Sequence, residues 1–353
     1  MAVPAKINTW QMVEPGKLEK VQIDVPEIKA GESLVKVAGC GVCHTDVGYF
    51  YDGVPTVTKP PLTLGHEVSG TVVAGDLEGK EVIVPAVMPC NNCPICAAGR
   101  GNRCLKQAMP GNSLGIYGGF SDYIPVPSAD LCVVDDRKGM PLEMMAVIAD
   151  AITSPYQAAL RAGVKEGDTC IVIGATGGIG VYMTQICAAL GAKEVIAIAR
   201  NQEKLERSLK FGATKAISTL DKDVKAISGE VKAYSKEAKI PNFGLKIFEC
   251  TGTKAGQEIA LALMTFVSTL MVVGFGMAKT DYMLSKLMAF EGEIVGTWGC
   301  LPQHYPTVLN MVLDGKIKVE PFVEFRPMSD ILKSFEEAHA GKITQRIVLR
   351  PDF

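Results

Sequence analysis

The chain has 353 residues, 48% of them hydrophobic and 21% charged, which is an ordinary composition for a globular protein. A net charge of -2, from 36 Lys and Arg against 38 Asp and Glu, argues against a nucleic-acid partner. The length exceeds the size at which one hydrophobic core stops growing, so we expect two domains.

The sequence also gives expectations about cellular location. Its start lacks the basic segment and apolar run of a secretory signal. The apolar stretch Ile259–Phe275 is interrupted by polar residues, and a buried helix running straight into a buried strand explains it better than a membrane span. We therefore expect a cytoplasmic protein without a membrane partner. In that reducing compartment, eleven cysteines suggest metal ligands rather than disulfides.

The first part of the chain is predicted to be mostly β. Short apolar runs predict strands at Ser33–Gly39, Val68–Ala74 and Glu81–Ala86, and long helical patterns are scarce there. A last strand, at Arg346–Leu349, is expected to return to this domain.

From Ala151 onward, strands alternate with helices, which is the pattern of a doubly wound parallel sheet. We predict an α/β fold with a mostly β domain from residues 1–150 and 300–353 and a parallel-sheet domain from residues 151–299. The predicted elements of the second domain are strands at Cys170–Ile173, Val195–Ala199, Ala216–Ser218, Leu245–Glu249, Thr269–Val273 and Glu293–Gly296, with helices at Gly178–Leu190 and Glu203–Phe211.

Four cysteines form the strongest motif, because Cys90, Cys93, Cys96 and Cys104 lie close together in a loop rich in Pro, Asn and Gly. Thiolates at this spacing suit a tetrahedral zinc ion, and a loop without a core of its own needs such a clamp. Four protein ligands leave no open position, which indicates a structural zinc. The alternative, four unrelated free cysteines, is disfavoured by the spacing. The other six cysteines are scattered, and we expect them to be small buried side chains.

A second metal site is suggested by residues far apart in the chain. Cys43, His66 and Asp150 supply the donors of a three-ligand zinc site that keeps one position open for chemistry. At such a position an alcohol would have its pKa lowered, which favours release of hydride. From the residues alone two other interpretations stay open: His66 and Glu67 as a surface pair, and Asp150 as a helix N-cap.

A glycine-rich turn predicts a dinucleotide site. Residues 170–180 read CIVIGATGGIG, a strand that runs into a turn and then a helix. The glycines let the backbone approach a pyrophosphate, and the helix N-terminus supplies N–H groups and the positive end of a dipole. The candidate cofactor residues in this turn are Thr176, Gly177, Gly178, Ile179 and Gly180.

The end of the next predicted strand bears on the choice of cofactor. An acidic residue there would bond the ribose 2′-hydroxyl of NAD, but this chain has Ala199 followed by Arg200. Arg200 could accommodate the 2′-phosphate of NADP, and it could equally stack on the adenine or face solvent. The residues alone leave NAD and NADP both open.

Together these motifs resemble the zinc-containing medium-chain alcohol dehydrogenase superfamily over essentially the whole chain. The resemblance is carried by Gly65-His66-Glu67, by the four-cysteine loop and by the glycine turn, in that order. It implies a GroES-like catalytic domain that holds both of two zinc ions per chain, a Rossmann domain that binds NAD or NADP, and a homodimer or homotetramer.

The resemblance also implies roles around the catalytic zinc. Cys43, His66 and Asp150 would hold the ion, and Glu67 would lie next to it. Many members have a cysteine where this chain has Asp150. Asp46 would orient the imidazole of His66.

Further roles implied by the resemblance concern the proton and the cofactor. Thr45 would begin a proton relay from the substrate hydroxyl. In some members the relay ends in a histidine where this chain has Gly48, which puts the outer relay in doubt. The remaining predicted cofactor residues are His44, Val273 and Thr297.

A narrower resemblance concerns residues 41–53, GVCHTDVGYFYDG, and Thr297-Trp298-Gly299. Both segments are similar to the NAD-dependent 6-hydroxycyclohex-1-ene-1-carbonyl-CoA dehydrogenases of anaerobic benzoyl-CoA degradation. This resemblance implies oxidation of a cyclic, allylic secondary alcohol, carried on an acyl-CoA, to the ketone. Three alternatives stay open: an NADP-dependent simple alcohol dehydrogenase, an enone reductase, and a non-catalytic nucleotide-binding protein.

Overall fold

The computed structural model describes residues 3–353, which separate into two units. The first unit contains the chain up to Thr153 with Gly299–Asp314 and Val319–Phe353, and the second contains Ser154–Trp298 with Gly315–Lys318. The amide of Gln185 bonds both the N–H and the carbonyl of Lys318, at 2.7 and 3.2 Å, and so fixes the last of these segments in the second unit.

The secondary structure follows in chain order. The strands are β1 (Lys6–Glu14), β2 (Lys17–Asp24), β3 (Glu32–Gly41), β4 (Leu62–Thr63), β5 (Glu67–Gly75), β6 (Glu81–Val84), β7 (Tyr123–Pro127), β8 (Cys132–Val134), β9 (Thr169–Ile173), β10 (Glu194–Ala199), β11 (Lys215–Ser218), β12 (Lys246–Glu249), β13 (Thr269–Val272), β14 (Glu293–Gly296), β15 (Val323–Pro327) and β16 (Arg346–Arg350). The α-helices are α1 (His44–Tyr51), α2 (Pro94–Ala97), α3 (Thr153–Ala162), α4 (Gly180–Ala189), α5 (Gln202–Ser208), α6 (Val224–Glu237), α7 (Lys254–Ala262), α8 (Leu284–Phe290), α9 (Tyr305–Leu313) and α10 (Ile331–His339), and 3₁₀ helices include Gly101–Arg103 and Leu142–Ala149.

The first unit is built on two sheets, which are antiparallel except for the parallel pair β15 and β16. A seven-stranded sheet has the order β15-β16-β3-β5-β6-β8, with β7 also paired to β3, and a smaller sheet has the order β2-β1-β4. β3, β5 and β6 confirm the strands predicted in the first part of the chain. Val72 and Val73 of β5 point to opposite faces and are both buried, so this strand is covered on both sides. The predicted C-terminal strand is β16, which pairs antiparallel with β3.

An aromatic cluster fixes the short helix that follows Cys43. Phe50 of α1, Phe120 and Phe335 of α10 are buried, and the Phe335 ring lies 5.5 Å from each of the other two in edge-to-face contact. Such aromatic pairs stabilise a core beyond the area that they bury. Because α1 has only eight residues, it depends on this packing rather than on its own helix propensity.

The second unit is a parallel sheet with the order β11-β10-β9-β12-β13-β14, as predicted for a doubly wound Rossmann fold. β9 is buried at all five positions, which is expected of a strand covered on both faces. Chain order reverses between β9 and β12, so a crevice opens at the carboxyl ends of these two strands. The predicted dinucleotide turn directly follows β9 and therefore lies at this crevice.

The expectation for Ile259–Phe275 is wrong in one respect. α7 ends at Ala262 and β13 begins only at Thr269, so the helix does not run straight into the strand. The intervening turn places Val267 at a φ of 55° and leaves it and Phe266 about half exposed. Hydrophobic periodicity missed the turn because neither residue is a typical turn former. Across the described part of the chain, no helix has the length and apolar character needed to cross a bilayer.

Candidate metal centres and dinucleotide site

The four cysteines predicted to hold a structural zinc are brought together in the first unit. The sulfur atoms of Cys90 and Cys104 are 3.3 Å apart, those of Cys93 and Cys96 3.5 Å, and those of Cys93 and Cys104 3.8 Å. With Zn–S bonds of about 2.3 Å, the edge of a tetrahedron of thiolates is about 3.8 Å. The cluster therefore fits a tetrahedral zinc ion, and the alternative of four unrelated cysteines is wrong.

Local backbone structure changes the pKa values of these cysteine thiols. Cys93 directly precedes α2, and backbone N–H groups of Cys96 and Leu105 lower the pKa of Cys93 to about 6. Desolvation and the neighbouring Cys93 raise the pKa of Cys96 to about 12. The lowered pKa of Cys93 favours its thiolate, and binding of zinc would release protons from thiols that are still protonated.

The second cluster joins residues that are distant in sequence. Donor atoms of Cys43, His66, Glu67 and Asp150 all lie within 4.8 Å of one another. Asp150 Oδ2 is 3.9 Å from the Cys43 sulfur and 3.5 Å from His66 Nε2. A tetrahedral zinc with S, N and O ligands has corresponding edges of about 3.6 and 3.4 Å, so these three side chains fit the ion.

The structure rejects two other interpretations of these residues. His66 and Glu67 are 1% and 0% exposed, so they do not form a surface pair. Asp150 ends the 3₁₀ helix Leu142–Ala149, and α3 begins only at Thr153, so Asp150 is not a helix N-cap.

A buried carboxylate orients the histidine of this cluster. Asp46 Oδ1 accepts a hydrogen bond from the backbone N–H of Gly65 at 2.9 Å and lies 3.2 Å from His66 Nδ1. Asp46 is 0% exposed. A proton on Nδ1 shared with Asp46 leaves the lone pair of Nε2 directed toward Asp150, which is the tautomer that binds a metal.

Arg346, which the sequence did not single out, contacts the same cluster. Its guanidinium donates two hydrogen bonds to Glu67, one of them at 3.0 Å, and both side chains are buried. A Cβ at Gly41 would lie 2.0 Å from Oε2 of Glu67, so glycine leaves the room that this carboxylate needs. The only sequence signal was a charged residue beginning an otherwise apolar strand.

Helix α1 carries the other predicted residues of this region. His44 begins the helix, Thr45 is half-buried and Gly48 is buried. Desolvation and then the charge of Arg346 lower the pKa of His44 from its ordinary value.

The glycine turn of the second unit has the geometry of a close-packed loop. Gly174 has a φ of 82°, and its N–H donates to the carbonyl of Ile198 at 2.8 Å. A Cβ at Gly180 would lie 2.0 Å from the carbonyl oxygen of Gly174. No side chain caps α4, and within its first turn the N–H groups of Val181, Tyr182 and Met183 donate to the carbonyls of Gly177 and Ile179.

The opposite wall of the crevice contains a buried carboxylate that the sequence did not indicate. Glu249, 1% exposed at the end of β12, accepts hydrogen bonds from the N–H of Thr251 at 2.7 Å, from its hydroxyl, and from the N–H of Gly252 at 3.1 Å. A Cβ at Gly174 would meet Thr251 Cγ2 at 2.6 Å. Glu249 therefore fixes the turn that packs against the glycine loop.

The other predicted cofactor residues of this unit lie at the same carboxyl edge of the sheet. Arg200 follows β10 and is exposed, whereas Ala199 is buried. The N–H of Val273 donates to the backbone carbonyl of Glu249, and the N–H of Thr297 donates to the backbone carbonyl of Val272. Both residues therefore lie just beyond the ends of their strands.

The six remaining cysteines mostly confirm the expectation of small buried side chains. Burial raises the pKa of Cys132 to about 12, so that thiol is inert at neutral pH. Cys250 is half-buried; the buried ones are Cys40, Cys132, Cys170, Cys187 and Cys300.

Comparisons with known proteins show which family the chain belongs to. The family model described as alcohol dehydrogenase GroES-like domain matches residues 29–136, and that described as zinc-binding dehydrogenase matches residues 178–314. The alcohol dehydrogenase of Geobacillus stearothermophilus is 30% identical over 349 residues, which cover 94% of this chain and 95% of that protein.

Solved structures with this architecture include two dehydrogenase-type enzymes. Galactitol-1-phosphate dehydrogenase from Escherichia coli is 26% identical, with a TM-score of 0.84 over 98% of this chain and 99% of that one. Acetophenone reductase from Geotrichum candidum, solved in complex with NAD, is 25% identical, with a TM-score of 0.84 over 99% of this chain and 98% of that one.

Fold, metal clusters and glycine turn define an oxidoreductase that uses zinc and a nicotinamide cofactor, NAD or NADP. The chain belongs to the zinc-dependent medium-chain alcohol dehydrogenase superfamily.

Proposed function

We propose that this dehydrogenase oxidises 6-hydroxycyclohex-1-ene-1-carbonyl-CoA, a cyclic allylic secondary alcohol, to the ketone in anaerobic benzoyl-CoA degradation, with NAD as hydride acceptor. The reaction class rests on one observation above all: Cys43, His66 and Asp150 present three zinc donors within 4.8 Å of one another. The substrate rests on the resemblance of residues 41–53 and 297–299 to enzymes of that reaction.

We assign Cys43, His66 and Asp150 to a catalytic zinc, and Cys90, Cys93, Cys96 and Cys104 to a structural zinc. When bound at the first of these sites, zinc supplies a Lewis acid that lowers the pKa of an alcohol. Glu67 lies next to the cluster but is held by Arg346, which offsets its negative charge.

The side chains of α1 handle the proton. Thr45 accepts the proton of the substrate hydroxyl and passes it outward. Asp46 keeps the proton of His66 on Nδ1, so that Nε2 is free to bind the metal. Gly48 has no side chain to extend this relay, so the proton passes from Thr45 to solvent. A bound nicotinamide would supply the acceptor for the hydride that the carbinol carbon gives up when its C–O bond becomes the carbonyl.

Residues at the carboxyl edge of the parallel sheet hold the cofactor in this proposal. The backbone of Thr176, Gly177, Gly178, Ile179 and Gly180 binds the pyrophosphate at the N-terminus of α4, where N–H groups and the helix dipole favour an anion. We also propose Val273, Thr297 and His44 as cofactor-binding residues.

An NADP-dependent alcohol dehydrogenase acting on simpler substrates is the second candidate. The observation that favours it is exposed Arg200 after buried Ala199, where an NAD site would carry an acidic residue. We retain NAD because one arginine does not make a phosphate pocket.

Initial rates of oxidation of 6-hydroxycyclohex-1-ene-1-carbonyl-CoA, with NAD and with NADP, test the proposal. We expect turnover with NAD and at least ~10-fold lower kcat/KM with NADP. Arg200→Gln is a useful companion variant, because it should leave the NAD rate unchanged. Turnover of simple secondary alcohols with NADP, and none of the CoA ester, would favour the second candidate.

We also infer a homodimer in the cytoplasm. β14 is the edge strand of its sheet and carries unpaired backbone groups on one side, a common site of pairing with another chain. Exposed apolar side chains occur on this strand and in the chain segment that precedes it, and we call them the apolar edge: Met277, Met283, Leu284, Met288 and Ile294. Pairing of this edge with the same edge of a second copy would satisfy the unpaired backbone groups and bury the exposed apolar side chains. A homotetramer could form by adding a second interface to this dimer.

A further inference from the structure

The carbonyl of Ala149 is a point at which several buried groups of the first unit meet. It accepts hydrogen bonds from the hydroxyls of Tyr305, at 2.5 Å, and Thr153, at 3.1 Å. All three residues are 0% exposed. The Tyr305 hydroxyl also accepts a hydrogen bond from the backbone N–H of Ala86 at 3.1 Å. One phenol therefore ties α9 to the end of the 3₁₀ helix Leu142–Ala149 and to the segment after β6.

The position of this carbonyl matters because the same peptide unit leads into Asp150. Carbonyls at the end of a helix lack partners within the helix, so outside donors decide how the last peptide is oriented. Aspartate has one methylene between its backbone and its carboxylate, so the oxygen follows the backbone closely. Oδ2 of Asp150 lies 3.5 Å from His66 Nε2 and 3.9 Å from the Cys43 sulfur.

We propose that Tyr305 is a positioning residue for the catalytic metal site: its hydroxyl fixes the Ala149–Asp150 peptide and thereby the ligand oxygen of Asp150. The inference rests on the proposed assignment of Asp150 as a ligand. Thr153 supports the same carbonyl from the start of α3. Tyr305 acts on the affinity for the metal through Asp150 and has no contact with the reacting atoms in this account.

Competition of the zinc-loaded protein with a chelator, with zinc counted by a colorimetric indicator, tests this role. We expect wild type to release two ions in two steps. Asp150→Ala, which keeps the four-cysteine site, identifies the step that belongs to the catalytic ion. Tyr305→Phe should weaken the affinity of that step by ~10–100-fold and leave the other step unchanged.

Matched variants separate positioning from general stability. Tyr234→Phe removes a hydroxyl that donates to Glu194 at 2.7 Å in the second unit and should alter neither step. Thr153→Val should weaken the catalytic step, and Thr153→Ser should restore it. A Tyr305→Phe protein with wild-type affinities and only a lower Tm would overturn this inference and leave the proposed function standing. A wild type that binds one zinc would overturn the catalytic site and this inference with it.

Discussion

At the pair formed by Glu67 and Arg346, two opposite charges lie beside the proposed zinc ligands with 0% and 4% of their side chains exposed. Taking charges out of water costs free energy, which their attraction offsets only when the hydrogen-bond geometry is good. Loss of one partner leaves the other charge buried and uncompensated, at a cost of about 3–5 kcal/mol.

Arg346→Met is therefore expected to lower the free energy of unfolding by about 3 kcal/mol or more, measured by urea denaturation. Arg350→Met is the matched control on β16, because Arg350 lies 3.8 Å from Glu143 and is 51% exposed. Its loss should cost less than about 1 kcal/mol. If both variants lost the same free energy of unfolding, the buried pair would contribute no more to stability than the exposed one, which would contradict this prediction.

The residues of the two metal clusters differ in how well the sequence could predict them. The four cysteines are close in the chain, so spacing alone indicated zinc. Cys43 and Asp150 are 107 positions apart, and only the family resemblance joined them. Arg346 lies 279 positions from Glu67, and no local pattern reports a contact made by strand pairing at that distance.

Among the elements, the turn between β9 and α4 depends on small residues at fixed places. A Cβ at Gly180 would lie 2.0 Å from the carbonyl of Gly174, whereas a Cβ at Gly229, inside α6, would meet open space. Substitution of these two glycines therefore distinguishes a site where packing requires glycine from a site where glycine only lowers helix stability.

Gly180→Ala is expected to displace the turn and raise the KM for NAD at least ~10-fold, because the backbone can no longer approach the pyrophosphate. Gly229→Ala should leave KM unchanged and raise the free energy of unfolding by about 0.5–1 kcal/mol. Initial rates over a range of NAD concentrations, with urea unfolding in parallel, measure both. An unaltered KM in Gly180→Ala would show that the turn does not contact the cofactor.

Glu249 supports the facing turn, so Glu249→Gln should raise the KM for NAD by ~10-fold with kcat within a factor of two, since an amide nitrogen would face the N–H of Gly252. Glu258→Gln is the control, because Glu258 pairs with Lys254 at 3.8 Å on the exposed face of α7. A fall in kcat at unchanged KM would contradict a role limited to shaping the cofactor site.

Strands that follow clear turn signals were predictable, and elements without such signals were not. β9 and β10 are apolar runs that each follow a glycine-containing turn, so their type and order were evident. The 3₁₀ helix Leu142–Ala149 is an almost continuous apolar run with no period. The turn at Val267 is fixed by a hydrogen bond from its N–H to the carbonyl of Phe290 at 2.7 Å, a contact outside the turn itself. Neither leaves a local signal.

On the scale of the whole molecule, the change from β-rich to alternating sequence near residue 150 reported the two kinds of sheet correctly. The apolar edge of the second unit was not predictable, because exposure of Met283, Leu284 and Met288 depends on where the sheet ends. Periodicity shows which residues share a face, but it does not show whether that face is covered.

Leu284→Glu combined with Met288→Glu is expected to convert the proposed dimer into a monomer, because two copies would then bring like charges together. Light scattering coupled to size exclusion measures the mass. Leu209→Glu changes a side chain that is 47% exposed elsewhere in the same unit and should leave the dimer intact. A double variant with wild-type mass would place the interface on another face.

The most direct measurement is the zinc content and turnover of Asp150→Ala beside wild type and Asp135→Ala, whose carboxylate is 83% exposed in a surface pair with Lys80. We predict two zinc ions and full turnover for wild type and Asp135→Ala. For Asp150→Ala we predict one zinc ion and a loss of turnover of at least ~10³-fold, as expected when several kcal/mol of charge stabilisation disappear. An Asp150→Ala protein that keeps both zinc ions and its turnover would contradict the assignment of Cys43, His66 and Asp150 as the catalytic zinc site.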